Sequence, residues 1–129
     1  MNPRPLHYLG LWRALGRALV VAMLVIALVP APAVVGAVPF GDKIGHAAGF
    51  AVLVLWYGQI YDRMGDRWRC VAGAIAFGAL IELLQALVPY RSADVLDLAA
   101  DALGAVIGFV LLQTSLGGVL NRLDRPRPA

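Results

Sequence analysis

The sequence predicts an all-α protein, a four-helix transmembrane bundle of antiparallel up-down topology with both termini cytoplasmic. Three observations predict it. The chain has 129 residues, 60% of them hydrophobic and 15% charged, with a mean hydropathy of +0.76. A soluble domain carries about 25% charge, and one this short has too little interior to hide so much apolar surface. Four apolar stretches, 18–38, 44–61, 71–88 and 95–116, contain no Lys or Arg. Each is close to the roughly 20 residues that cross a hydrocarbon layer about 30 Å thick. Finally, Arg4, Arg13, Arg17, Arg63, Arg67, Arg69, Arg122, Arg125 and Arg127 fall on the side of the two tails and the second connection, against Lys43 and Arg91 on the other. This asymmetry places the tails inside and the first and third connections outside.

At this length one membrane domain spanning 1–129 is expected, and its short connections force antiparallel neighbours. A single Cys excludes an internal disulfide framework. The net charge of +3 reads as a topology determinant and a contact for anionic lipids, not as a nucleic-acid surface.

In chain order, the Leu-rich start Leu6 to Leu15 suggests an interfacial helix on the inner leaflet. Pro30 and Pro32 predict a kink at the outer end of a retained first span. The basic start and the Ala31-Pro32-Ala33 triplet also imitate a cleavable signal peptide, but the apolar run continues to Val38 and favours retention. Asp42 and Asp94 have the chemistry of N-caps for the second and fourth helices, with Asp97 in the first turn of the fourth. The third helix is rich in small residues, including Gly73, Ala74, Gly78 and Ala79. The tail from Asn121, with Pro126 and Pro128, reads as disordered.

The informative residues are polar ones inside apolar stretches. Lys43 and His46 are i,i+3, Glu82 and Gln85 are i,i+3, and Asp97 and Asp101 are i,i+4, so each pair shares a helix face. Counted inward at 1.5 Å per residue, Glu82 and Asp101 lie roughly 9 Å deep, and His46 and Asp97 roughly 3 Å. Three helices thus contribute to one outer polar layer, with Arg91 in the loop beside it. Glu82 costs its helix about 2 to 3 kcal/mol of insertion energy, less for being off centre, which marks the layer as a candidate ligand-binding site. A purely structural network fixing helix register is the alternative. Continuing the face of Asp97 and Asp101 gives Gly104 and Gly108, a GxxxG packing element that admits a close backbone. Tight packing of the third helix on the fourth is expected from it.

These residues carry a resemblance. The run Asp42-Lys43-Ile44-Gly45-His46-Ala47-Ala48-Gly49-Phe50, then Glu82 and Gln85, then Pro89-Tyr90-Arg91, then Asp97, Asp101, Gly104 and Gly108, resembles the VanZ-like family of small bacterial membrane proteins. The match covers 41–108. It implies a multi-pass protein of the bacterial plasma membrane, from a family whose founding member is associated with low-level resistance to the glycopeptide teicoplanin. No catalytic reaction is implied. Where the family usually has Asn ahead of the first Gly of the last helix, this chain has Asp101.

The resulting expectation is a binding or modulating site made by Lys43, His46, Glu82, Gln85, Arg91, Asp97 and Asp101. Its partner would be an envelope lipid, a lipid-linked precursor or a glycopeptide. Arg91 would clamp phosphate or carboxylate, with Lys43 as a point charge. No cofactor is expected and no metal is assigned. The alternatives are an intramembrane enzyme using His46 with Glu82 as acid and base, or a His46, Glu82 and Asp101 metal set, although no HExxH or CxxC motif supports a reaction. A small proton-coupled transporter is weaker still, because the first helix holds no acid.

Overall fold

In the computed structural model, which describes residues 1–30 and 39–124, the chain is all-α. The described residues form five α-helices: α1 (Leu9–Leu28), α2 (Gly41–Ile60), α3 (Met64–Gln85), α4 (Val95–Leu111) and α5 (Val119–Leu123). A 3₁₀ turn, Ser115–Gly118, links α4 to α5. No strand forms among these residues, and an isolated bridge joins Pro3 to Tyr61.

Helix α1 begins well before the apolar stretch that announced it. Arg13 and Arg17 lie inside the helix, which their long aliphatic stems permit by carrying the charge away from the backbone. Of the stretch Leu6 to Leu15, expected as an interfacial helix, Leu9 to Leu15 is the first part of α1, and Leu6 to Tyr8 precede the helix. The other end also differs. Val29 turns extended at ψ 157°, so the helix stops ahead of Pro30 and no kink runs through it. Proline disfavours helical backbone in the residue before it. Pro32 and Val38 lie outside the described residues.

The fourth stretch shortens in a similar way. Helix α4 ends at Leu111, and the chain bends by 73° into the segment Ser115–Leu123. The expected disordered tail is instead helical through Leu123, and Asp124 is buried; 125–129 lie outside the described residues.

Two helices, α1 and α3, are long and apolar enough to cross a membrane, and the bent pair of α4 with Ser115–Leu123 makes a third if it counts as one span. Helix α2 falls short of the same standard. The cause is its sequence: Asp42, Lys43 and His46 near one end and Gln59 near the other dilute its apolar middle. It is nonetheless the interior helix, burying Phe50, Leu53 and Val54 against Val71, Ala74 and Ile81 of α3 and Ala105 of α4. Large apolar side chains such as Val21, Ile26, Leu83, Leu103 and Val110 point outward. Such a surface suits hydrocarbon, where helices associate by close packing and hydrogen bonds, lipid being as apolar as the side chains.

Close approach occurs where the small residues lie, with one change of partner. A Cβ on Gly104 would overlap the backbone carbonyl of Ala47, and one on Gly108 that of Ala51. The GxxxG face of α4 therefore seats against α2, not α3. Helix α3 meets α4 through Gly78, whose missing side chain leaves room for the Asp101 carboxylate.

Candidate functional site

The α2–α4 contact carries the polar layer because its glycines bring the two backbones together one turn from His46 and Asp101. His46 Nδ1 lies 2.8 Å from Asp101 Oδ1, and His46 Nε2 lies 4.0 Å from Asp97 Oδ2. Lys43, one turn earlier on α2, donates to Asp94 Oδ2 and Asp97 Oδ1, both at 2.8 Å, and to Asp42 Oδ2 at 3.2 Å. Asp94 is the N-cap of α4, accepting from the Leu96 N–H at 2.8 Å, while Asp42 lies inside the first turn of α2 and Phe40 takes its cap position. In the α3–α4 connection, the Lys43 ammonium, followed by the Leu96 N–H, holds the Asp94 carboxyl below its ordinary range.

Glu82 joins from α3. Its Oε2 accepts the backbone N–H of Asp94 at 2.7 Å, so Asp94 connects Lys43 to Glu82. Glu82, Asp97 and Asp101 are all buried, Asp101 completely. One oxygen of Glu82, Oε1, and one of Asp101, Oδ2, are enclosed without any hydrogen-bond partner among the described residues. Neither permanent cation nearby neutralises them, since Lys43 is engaged by the three aspartates above and no ion pair joins Arg91 to either acid, which leaves His46, against Asp101 Oδ1, as the basic group beside them.

Arg91 and Gln85, expected beside the acids, turn toward α1. The Arg91 guanidinium donates to the carbonyls of Ile26, at 3.3 Å, and Val29, while Gln85 Nε2 donates to that of Ala27 at 2.9 Å and the Tyr90 hydroxyl to that of Leu28 at 3.0 Å. The physical reason is the helix end: the last carbonyls of a helix have no intrahelical partner, and α1 stops before Pro30 with several to satisfy. Sequence reasoning missed this because it carried the first helix to Val38.

Between α1, α2 and α3 a cavity of about 280 Å³ connects the two groups. Met23, Ile26, Phe50 and Ile81 supply apolar wall, and His46, Gln85 and Arg91 stand at its polar side. Among the described residues, Arg91 Nε and Gln85 Oε1 have no hydrogen-bond partner, one donor and one acceptor on side chains that line the cavity. The arrangement can accept a molecule that is apolar over most of its length and polar at one end.

Sequence reasoning gave Asp94 a capping role only and did not single out Gly78 as the opening for Asp101. The signal for the first was an acid at the start of an apolar helix, and for the second a Gly one turn before Glu82. At the opposite end of the molecule, Asp124 accepts from the backbone N–H groups of His7 and Tyr8 and from Trp12 Nε1, joining α5 to the N-terminal segment.

The comparisons with known proteins place the chain in a family. A family model described as VanZ/LLP1 matches residues 6–116, which takes in α1 as well as the 41–108 segment that carries the motifs. No curated protein and no solved structure matches the chain. With apolar helices able to cross a membrane and a family match over most of its length, the chain is a membrane protein belonging to the VanZ/LLP1 family.

Proposed function

We propose that this protein is a four-span, antiparallel membrane protein of the bacterial plasma membrane, with cytoplasmic termini, that binds an amphiphilic envelope molecule at its outer polar layer. The cavity between α1, α2 and α3 carries the reading. Its wall is apolar, as an acyl or polyprenyl chain requires, and its polar side offers Arg91 and Gln85, each with a polar atom unpartnered among the described residues. Arg91 would receive the phosphate or carboxylate of a lipid headgroup or lipid-linked precursor, since a guanidinium keeps its charge and has donors beyond those spent on the α1 carbonyls.

The orientation follows from the nine basic residues on the side of the tails against two on the other. An outward site of this kind fits the glycopeptide association of the family, because a protein that holds an envelope precursor alters what such a drug meets. The test is a deletion strain complemented with wild type, Arg91→Gln or Glu82→Gln and exposed to envelope-directed antibiotics, with native mass spectrometry of retained lipids on the purified proteins. Loss of both the resistance phenotype and the retained anionic lipid in a folded Arg91→Gln protein is expected. Unchanged lipid retention in that variant overturns the reading.

A further inference from the structure

We propose that His46, Glu82 and Asp101 form a binding site for one divalent transition-metal ion of the Zn²⁺ class. A ring nitrogen of His46 and one carboxylate oxygen from each acid all lie within 4.8 Å of one another. Ligands bound at about 2.0–2.2 Å stand about 3 to 4 Å apart around a common ion, so small side-chain rotations complete the set.

Two further observations point to a ligand. Among the described residues, Glu82 Oε1 and Asp101 Oδ2 are enclosed without hydrogen-bond partners, on side chains whose residues are 8% and 0% exposed. Buried polar atoms are nearly always paired, and a buried carboxylate needs a counter-charge. Lys43 is occupied by Asp42, Asp94 and Asp97. A divalent ion supplies two positive charges to two carboxylates. One nitrogen among the donors favours Zn²⁺ over Mg²⁺ or Ca²⁺, which prefer oxygen throughout.

The surroundings provide orientation and access. Gly78 gives the Asp101 carboxylate its place against α3, one turn from Glu82. With Nδ1 on the ion, a charged ring gives its Nδ1 proton to solvent and a neutral one moves it to Nε2, so that in both cases an Nε2–H faces Asp97 Oδ2, 4.0 Å away. His46 also lines the cavity, so an ion enters from that side and keeps an open position toward it.

The full chain, purified in detergent and stripped with EDTA, is titrated with Co²⁺ as a visible probe and, separately, loaded with Zn²⁺ and assayed for metal after gel filtration. One ion per chain is expected in the wild type. Asp101→Asn and Glu82→Gln should each weaken uptake by more than about tenfold, the scale on which even indirect supporting contacts act, while the exposed Asp62→Asn at the far end binds as wild type. If Asp101→Asn does not give monodisperse protein, Glu82→Gln carries the comparison. No retained ion in the wild type, or equal uptake by the site variants, overturns the proposal and means that protons alone balance the cluster. Metal uptake and lipid retention are separate readouts, so either inference can fail while the other stands.

Discussion

His46 Nδ1 and Asp101 Oδ1 meet at 2.8 Å across the α2–α4 interface, while the second oxygen of the same carboxylate is enclosed against Gly78 with no partner. One atom of Asp101 is therefore satisfied and the other is left exposed to the full cost of burial. Asn at this position keeps an acceptor for His46 and replaces the unpaired charged oxygen by a neutral amide nitrogen, which is cheaper to bury though still unpaired. In metal-free detergent, Asp101→Asn should match or exceed the wild type in thermal stability, by less than the about 1–3 kcal/mol that an unsatisfied buried group costs, because its amide nitrogen stays unsatisfied. Asp101→Ala should instead fall below wild type, since it strands the imidazole. A differential scanning measurement with EDTA present separates the two, and an Asp101→Asn protein less stable than Asp101→Ala sinks the assignment.

Gly104 and Gly108 give the sharpest packing prediction. A Cβ at Gly104 would overlap the backbone carbonyl of Ala47, which cannot rotate away, so Gly104→Ala must separate α2 from α4. A loss of about 1–3 kcal/mol is expected from such overpacking. Gly73 on α3 has no atom near its would-be Cβ, so Gly73→Ala should be neutral or stabilising by up to about 1 kcal/mol. Equal effects at the two sites, in the same detergent melt, would show that helix propensity and not contact governs both.

The same contrast shows what could be read from the sequence. The all-α class was legible in composition, and the gathering of Lys43, His46, Glu82, Asp97 and Asp101 in spacing, because helical period and depth fix where a polar residue lies. Which neighbour a face meets is not contained in period. The stripe Gly104 and Gly108 could equally have faced α3, and Arg91 and Gln85 could have served the acids. Their partners were decided by α1 ending before Pro30, a boundary hidden by the apolar run to Val38 and by Arg13 and Arg17, which broke the stretch the helix actually occupies. Asp124 was obscured by the prolines that follow it.

Lys43 should control how acid affects this end of the bundle. Its ammonium is the first cause, and the Leu96 N–H the next, of the lowered Asp94 carboxyl value. A folded-state value below the unfolded one contributes stability that is complete above the ordinary carboxylate range and is lost as pH falls through the lowered value. Lys43→Gln removes the larger cause. Its melting temperature should lie below wild type at neutral pH, and the gap should narrow as the pH approaches and passes below the ordinary Asp value of about 3.9. A gap that widens in acid would assign the pairing to some other residue.

The clamp at the far end makes a prediction of opposite location and the same sign. Burial works against a charged Asp124, but the donors Trp12 Nε1, Tyr8 N–H and His7 N–H outweigh it, and the carboxyl titrates below its ordinary value. The clamp should therefore hold at neutral pH and release as pH falls through that lowered value. Trp12 reports on it directly, its indole donating to Asp124 Oδ1 at 2.6 Å. Asp124→Asn at neutral pH should reproduce the acid-induced change in Trp12 emission, measured with Trp56 and Trp68 replaced by Phe. The variant should also open the segment before Leu9 to chymotrypsin cleavage after Tyr8, because the Tyr8 N–H is tethered to the Asp124 carboxylate. Since a neutral amide has no such titration, emission from Asp124→Asn should then stay flat over the acid range in which the wild type moves. A variant that still titrates there would place the acid response in another group and leave Asp124 a packing contact only.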